Sequence, residues 1–185
     1  MTAKMIVMNS PRFQFNSVES SDKEHFLNLY RDPLVMEKIM PPLATDQVHQ
    51  LFESIISTSS HSHFFKISEI GSQEISGLMG FLPFSKKANK LQSEFGIVLY
   101  PQHYQNGIAK ESITTLINYG FSCLKLDSAF AHFRNDNVPI RKIAEHLDFR
   151  IYPHKTDINK STCSITRQVY VNGCHFQPVT ENLHA

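Results

Sequence analysis

The segment EFGIVLYPQHYQNGIAKESI, residues 94 to 113, combines residue types that can bind an anion. Its apolar run Ile97–Leu99 favours a β-strand, Pro101 ends that run, and Gly107 stands where the apolar spacing becomes helical. The first amides of a helix have no partner within it and carry the positive end of its dipole, so a phosphate can bind there. The sequence therefore predicts an anion site at Gly107, unless this glycine only begins a helix.

The sequence gives less support for a metal site than for an anion site. His61 and His63 would share one face of a strand, but a metal site needs three or four converging ligands, and we expect none here. Cys123, Cys163 and Cys174 are odd in number and lack the close paired spacing of a zinc site. We interpret them as reduced thiols and predict no metal.

Length and charge narrow the class of protein. The chain has 185 residues, with 18 Lys and Arg against 17 Asp and Glu, and we expect a single domain over residues 1–185. No basic block predicts binding to nucleic acid or to an anionic membrane. No apolar segment approaches the roughly 20 residues that span a bilayer, and residues 1–14 lack the apolar core of an export signal. We therefore expect a cytoplasmic protein with no membrane partner.

The elements that must position the glycine segment begin with a strand. Phe13 and Phe15 alternate with polar residues, as in a half-buried strand. Ser21 and Glu24 have the spacing of a capping box for a first helix, which Pro33 should interrupt.

A second helix and two strands follow. Thr45 or Asp46 can cap this helix, whose apolar face comprises Val48, Leu51, Phe52, Ile55 and Ile56. HFFKISEI and EISGLMGFL predict two strands joined by a tight turn at Gly71 and Ser72, and a polar loop over Lys86–Gln92.

The remaining chain predicts a helix, a strand, a short helix and a hairpin. Apolar spacing after Gly107 favours a third helix, and SAFAHF favours a strand. Pro139 suits the first turn of a fourth helix, and Asn172 and Gly173 favour a type I′ turn between the strands CSITRQVYV and CHFQPV. This order predicts an α/β fold with one mixed sheet covered by helices.

The order of elements resembles the GNAT superfamily of acyl-CoA N-acyltransferases, from about Arg12 to Val179. IVLYPQHYQNGIA is similar to that family's signature, in which the glycine of Q/R-x-x-G-x-G/A follows a splayed strand by eight residues, the spacing of Leu99 and Gly107. Asn137, with the apolar residues up to Phe149, is similar to the family's N…V-x-x-x-L-G-F segment. RDP, residues 31–33, is frequent in the ribosomal-protein N-acetyltransferase branch.

The resemblance implies a mixed, mostly antiparallel central sheet flanked by helices, with a splayed central strand pair. It also implies acetyl-CoA as cosubstrate. Its pyrophosphate would bind the amides of Gln105, Asn106, Gly107, Ile108, Ala109 and Lys110. Its pantetheine arm would pair with the backbone of Ile97, Val98 and Leu99, as in edge-strand addition, and Leu99 N–H would face the thioester oxygen. The amide of Asn137 would also contact the coenzyme, unless it only caps a helix.

Two candidate bases follow from the same resemblance. Glu94 opens the splayed strand near the expected acceptor mouth, and His132 occupies a strand position where some relatives carry a catalytic Glu. The alternatives are a solvated carboxylate for Glu94 and a structural histidine for His132. A usual pKa near 6.5 suits His132 as a base at neutral pH.

The sequence departs from the family pattern at four positions. Tyr104 replaces the usual Gln or Arg, Ile140 replaces the branch's Ser, and Ala144 stands where many relatives have a Tyr that protonates the leaving thiolate. Asp148 replaces the glycine of L-G-F, and Asp can adopt a left-handed conformation at a cost of roughly 1 kcal/mol.

We therefore predict an N-acetyltransferase that moves acetyl from acetyl-CoA to a primary amine by direct attack in a ternary complex. The branch favours a protein N-terminal α-amine, whose pKa of roughly 7.7 to 8.0 leaves a useful fraction neutral. The alternatives are a small-amine acetyltransferase acting on a polyamine or an aminoglycoside, and a non-catalytic acyl-CoA-binding module. The sequence leaves the acceptor and the oligomeric state open.

Overall fold

The computed structural model describes residues 5–57, 63–173 and 182–184 of the chain. Its strands are β1 (Met5–Asn9), β2 (Phe13–Ser17), β3 (His63–Glu69), β4 (Ile75–Phe81), β5 (Ser85–Lys87), β6 (Lys90–Leu99), β7 (Ser128–Arg134), β8 (Arg150–Pro153), β9 (Lys160–Thr166) and β10 (Asn182–His184). Its α-helices are α1 (Lys23–Arg31), α2 (Pro33–Met36), α3 (Thr45–Ser57), α4 (Ile108–Ser122), α5 (Val138–His146) and α6 (Arg167–Asn172).

The strands form one sheet in the order β10-β1-β2-β3-β4-β6-β7-β9-β8, with β5 beside the start of β6. Neighbouring strands along this order are antiparallel, except for the parallel pair β6 and β7. That parallel pairing covers only Gln92 to Glu94 on β6, although β6 continues to Leu99. The predicted mixed, mostly antiparallel sheet is confirmed, and its central pair is splayed.

Helices cover both faces of the sheet because alternate strand residues point to opposite sides. Leu78 and Val98 pack with the apolar faces of α1, α2 and α3. Their strand neighbours Met79 and Leu99 pack on the other side with α4, α5 and α6. The splay between β6 and β7 therefore opens between two packed layers.

The predicted C-terminal hairpin at Asn172 and Gly173 is wrong. The chain enters α6 directly after β9, and the Thr166 hydroxyl accepts a hydrogen bond from the Val169 amide at 3.4 Å. Tyr170 is only 1% exposed, so burying this ring outweighs the β-propensity of its neighbours. Gly173 has a φ of −79°, which a type I′ turn excludes. The predicted strand CHFQPV lies outside the described residues.

A hairpin occupies the predicted polar loop over Lys86–Gln92. β5 pairs with the beginning of β6, with Ser85 opposite Gln92. Ala88 and Asn89 adopt φ values of 50° and 59°, so both turn residues are left-handed, as a type I′ turn requires. The pattern was missed because alanine is an unusual residue for that conformation.

Both predicted helix caps are also wrong, although the break at Pro33 is confirmed. Helix α1 begins after Asp22, whose carboxylate accepts the Glu19 amide at 2.7 Å, rather than with Ser21 as cap. Thr45 lies inside α3, and the Gln47 side chain accepts the amide of the preceding Ala44 at 2.9 Å. Asp32 separates α1 from α2, and its side chain accepts the Leu34 amide at 2.8 Å.

Candidate active site

A cavity of about 380 Å³ lies where β6 and β7 separate. The two strands form opposite walls, α5 lies along one side, and the end of α1 with the segment after α2 lies along the other. Among the residues that line the cavity are Tyr30, Lys38, Glu94, Ile97, Val98, His132, Asn137, Ala144, His154 and Lys160. The splay therefore provides an open path through the centre of the sheet.

The backbone of β6 faces this gap at alternate residues. On the β4 side, the Tyr100 amide donates to the Ser76 carbonyl at 3.0 Å, and the Glu94 carbonyl accepts from Leu82 at 2.9 Å. Because backbone groups alternate in direction along a strand, Ile97 and Leu99 turn their N–H and C=O groups toward the gap. Val98 instead pairs with Leu78 of β4, and its side chain is buried.

Helix α4 follows β6 after the turn over residues 100–107 and begins without a side-chain cap. Its N-terminal flanking residue Gly107 has a φ of 79°, and Gln105 is also left-handed at 70°. A Cβ on Gly107 would lie 3.1 Å from Nη2 of Arg12, a closer approach than such atoms usually make. The described chain therefore has a glycine-specific bend followed by first-turn amides that no side chain caps, with Ile108 buried beneath them.

Glu94 lies on β6 and His132 lies on β7. Glu94 is paired with Phe130, two positions before His132 on β7, so both side chains project from the same face of the sheet. Both residues line the cavity. Nδ1 of His132 lies 2.9 Å from Oγ1 of Thr162, the residue opposite it on β9. When Nδ1–H donates to Thr162, Nε2 carries the lone pair that can accept a proton.

His154 adjoins this pair from the segment between β8 and β9. Its ring packs edge to face with the His132 ring at a centroid distance of 4.5 Å. Nδ1 of His154 accepts the backbone amides of Thr156 at 3.3 Å and Asp157 at 3.1 Å, which places the proton of the neutral ring on Nε2. The turn therefore fixes one tautomer of His154.

The surroundings shift the pKa values of both candidate bases. Burial lowers the pKa of His132 below its usual range, and the positive charges of His154 and Lys160 lower it further. Burial raises the pKa of Glu94, against the opposing effect of His154 and Lys160. His132 is thus kept neutral at lower pH, whereas Glu94 is a stronger base than an exposed carboxylate.

Residues 12–150 match a family model described as an acetyltransferase (GNAT) domain.

The chain belongs to the GNAT acetyltransferase family. The family predicted from the sequence is confirmed, and the chain is an acyltransferase enzyme. An uncharacterized N-acetyltransferase p20 from Bacillus licheniformis is 25% identical over 150 residues, which cover 79% of this chain and 83% of the relative.

Solved GNAT structures share the fold. A spermidine N-acetyltransferase from Vibrio cholerae, in complex with CoA and spermine, has a TM-score of 0.75 and 19% identity, covering 88% of this chain and all of that one (100%). RimL, a ribosomal L7/L12 alpha-N-protein acetyltransferase in complex with coenzyme A, has a TM-score of 0.71 and 14% identity. The match covers 86% of this chain and 97% of RimL.

Asn137, which matches a GNAT motif, caps α5. Its side-chain oxygen accepts the Ile140 amide and its nitrogen donates to the Lys38 carbonyl, both at 3.4 Å. Nζ of Lys38 in turn lies 3.1 Å from Asp136. Asn137 therefore joins α5 to the segment after α2 across the cavity, and its contact with coenzyme stays a prediction.

Two residues that depart from the GNAT pattern, Ala144 and Asp148, are described by the structure. Ala144 is 4% exposed and lines the cavity, where it provides no hydroxyl group. Tyr30 is the one tyrosine among the described residues lining that cavity, and burial raises the pKa of its hydroxyl to about 12. It can donate a hydrogen bond but stays protonated near neutral pH. Asp148 adopts the expected left-handed conformation, with a φ of 60°.

The sequence pattern did not reveal Tyr30, Lys38, His154 or Lys160 as cavity residues. They reach it through the pairing of β8 with β9 and the packing of α1 and α2, which no local motif encodes. Within the described ranges, no group of three or more His, Cys, Asp or Glu residues is placed to hold a metal ion. No helix in those ranges is long and apolar enough to cross a bilayer.

Proposed function

We propose that this GNAT enzyme transfers an acetyl group from acetyl-CoA to a primary amine by direct attack in a ternary complex. The observation that carries the proposal is strand β6: near its start Glu94 lines a cavity together with His132, and beyond its end the chain bends at Gly107 into the uncapped start of α4. An anion-binding end and a proton-accepting end are what this reaction requires of the protein.

The residues around the gap fit coenzyme A. Gly107 is left-handed and the start of α4 has no side-chain cap, so amides of residues 105–110 would hold the pyrophosphate. Ile97 and Leu99 would pair with the pantetheine arm, because their backbone groups point away from β4, toward the edge of β6 that no longer pairs with β7. The backbone groups of Val98 face β4 instead, so Val98 would not pair with the pantetheine arm. Asn137 lies along the same gap.

Acyl transfer needs a neutral amine and a stabilised oxyanion. The amine nitrogen forms the new C–N bond at the thioester carbonyl, the C–S bond breaks, and the thiolate leaves. Nε2 of His132 would accept the proton that the amine loses, and Leu99 N–H would face the developing oxyanion. With alanine at position 144, the thiolate would leave without a proton from that position, as a thiol of pKa near 8.5 permits.

The pKa of the acceptor, rather than the charges at the cavity, favours a protein N-terminal α-amine. Glu94 is the one carboxylate among the described residues that line the cavity, whereas Lys38 and Lys160 both reach it. Both lysines are ion-paired, Lys38 with Asp136 at 3.1 Å and Lys160 with Asp157 at 3.6 Å, so their charges do not distinguish a polyamine from a peptide as acceptor. An α-amine is partly neutral near pH 7.5, so it needs less help from a base than a lysine side chain.

A panel of acceptors tests this proposal. Purified protein is incubated with acetyl-CoA and, separately, with unblocked peptides, N-terminally blocked peptides containing lysine, spermidine and an aminoglycoside, and products are identified by mass spectrometry. We expect the unblocked peptides to be acetylated with the highest kcat/KM. Higher kcat/KM for spermidine or the aminoglycoside would contradict the α-amine proposal. Coenzyme binding without transfer to any amine would identify a non-catalytic acyl-CoA-binding module instead.

A further inference from the structure

The turn between β1 and β2 is tied to the beginning of α4, although the two are distant in sequence. Nε and Nη2 of Arg12 contact Oε2 of Glu111 at 2.8 and 2.7 Å. Nη1 of Arg12 donates to the carbonyl of Asn106 at 2.9 Å. One guanidinium group therefore binds both the loop before Gly107 and the first turn of the helix after it.

Glu111 accepts further hydrogen bonds from the same turn. Its Oε1 accepts the Arg12 amide at 2.9 Å and the Ser10 hydroxyl at 2.7 Å. Burial of this carboxyl, whose side chain is 18% exposed, raises its pKa, but the hydrogen bonds from Ser10 and Arg12 outweigh that effect and lower it. Glu111 is therefore an anion near neutral pH, with its Oε2 held by two guanidinium nitrogens and its Oε1 by the Arg12 amide and the Ser10 hydroxyl, rather than by a mobile surface pair.

The Glu111 carboxylate would by itself weaken the binding of a pyrophosphate at the start of α4. Glu111 lies in the first turn of α4, where its negative charge would repel a pyrophosphate bound to the helix N-terminus. Arg12 offsets that charge directly, and its side chain is still 52% exposed. Its hold on Asn106 also fixes the orientation of the loop whose amides must converge on the phosphates.

We infer that Arg12 is a positioning residue for coenzyme binding: it orders residues 105–110 and neutralises Glu111 beside the pyrophosphate. The inference rests on the proposed function, because it assumes that this loop holds coenzyme A. It predicts that the contribution of Arg12 depends on the nucleotide end of the donor, not on the acetyl group or on the acceptor.

The test combines calorimetry with a truncated donor. Arg12→Gln should weaken the binding of coenzyme A by about tenfold or more, the scale of one lost ionic contact. With acetyl-pantetheine, which lacks the pyrophosphate and the nucleotide, kcat/KM should stay within about twofold of the wild-type value at saturating acceptor. Arg12→Lys should restore part of the affinity, because it returns the charge without the three guanidinium nitrogens that contact Glu111 and Asn106 together.

Glu111→Gln supplies an independent variant. Alone it should change coenzyme affinity less than Arg12→Gln, and combined with Arg12→Gln it should recover part of the lost affinity, because the uncompensated carboxylate is gone. Arg167→Gln, at an exposed arginine that begins α6 and whose amide donates to the Asp127 carbonyl, is the matched control and should leave affinity unchanged.

The outcomes separate this inference from the proposed function. Unchanged coenzyme affinity in Arg12→Gln would overturn it. So would equal losses with acetyl-CoA and acetyl-pantetheine, or a double variant no better than Arg12→Gln. Wild-type protein that does not bind coenzyme A at all would overturn the proposed function, and with it the role of Arg12.

Discussion

At the scale of single residues, His132 can offer Nε2 to the cavity because Thr162 contacts its other ring nitrogen. A base accepts a proton only in its neutral form, and burial with nearby positive charge lowers the pKa of His132. Glu94 shares the face and the cavity, but its role as a base and that of His132 both stay predictions.

If His132 is the base, kcat/KM should rise with pH through an ionisation below its usual value of about 6.5. His132→Ala should remove this rise and lower kcat/KM by roughly 10²- to 10⁴-fold, the usual contribution of a general base. The measurement is a pH profile of acetyl transfer for both proteins, with calorimetry to verify that coenzyme affinity is retained.

Glu94→Gln is the matched comparison, since Glu94 lines the same cavity and the change removes its charge with little change in shape. Glu94→Gln should lower kcat/KM less than His132→Ala does. A loss of less than about tenfold in His132→Ala would indicate a structural role for the histidine. Small losses in both variants would mean that the amine loses its proton to water, which suits an α-amine better than a lysine.

At the scale of elements, the beginning of α4 and the adjacent strand β6 could be predicted because proline, glycine and a change of apolar period coincide there. The C-terminal hairpin could not be distinguished from α6, because short runs such as QVYV suit both strand and helix. What decides between them is the burial of Tyr170. His154 and Arg12 reach the site through strand pairing and a remote turn, so neither had a local signal.

The bend before α4 predicts different effects for two alanine substitutions. Gly107 and Gly71 have φ values of 79° and 84°, so replacement by alanine should lower the free energy of unfolding by roughly 1–2 kcal/mol at each position. Only at Gly107 would the new Cβ also approach Arg12, whereas nothing lies within 4 Å of it at Gly71. We therefore expect only Gly107→Ala to weaken coenzyme A binding.

Urea unfolding measures the stability cost, and calorimetry measures the coenzyme affinity of both variants. Gly71→Ala corrects for backbone strain, so a difference in affinity between the two is specific to the α4 loop. Equal coenzyme A affinities in Gly107→Ala and Gly71→Ala would show that the backbone at Gly107 does not bind the coenzyme.

At the scale of the whole molecule, three sources of chemistry lie on β6 or on elements that follow it in the chain or border its cavity. The first turn of α4 supplies backbone amides, β6 supplies an unpaired strand edge, and β7 with the β8–β9 segment supplies titratable side chains. The sequence predicted the α/β fold and the α4 end of this arrangement. It could not predict the charges at the acceptor end, because Lys38 and Lys160 come from segments that only the tertiary fold brings to the cavity.

The reaction proposed for this enzyme is transfer of acetyl from acetyl-CoA to a primary amine, with an α-amine as the preferred acceptor. Its most direct test is tandem mass spectrometry of one peptide that carries both a free N-terminus and an internal lysine, after incubation with acetyl-CoA and the protein near pH 7.5. We predict one acetyl group per peptide, located on the α-amine, and none without protein. Acetylation only on the lysine would contradict the preferred acceptor, and an unmodified peptide from protein saturated with acetyl-CoA would contradict transfer to this class of amine.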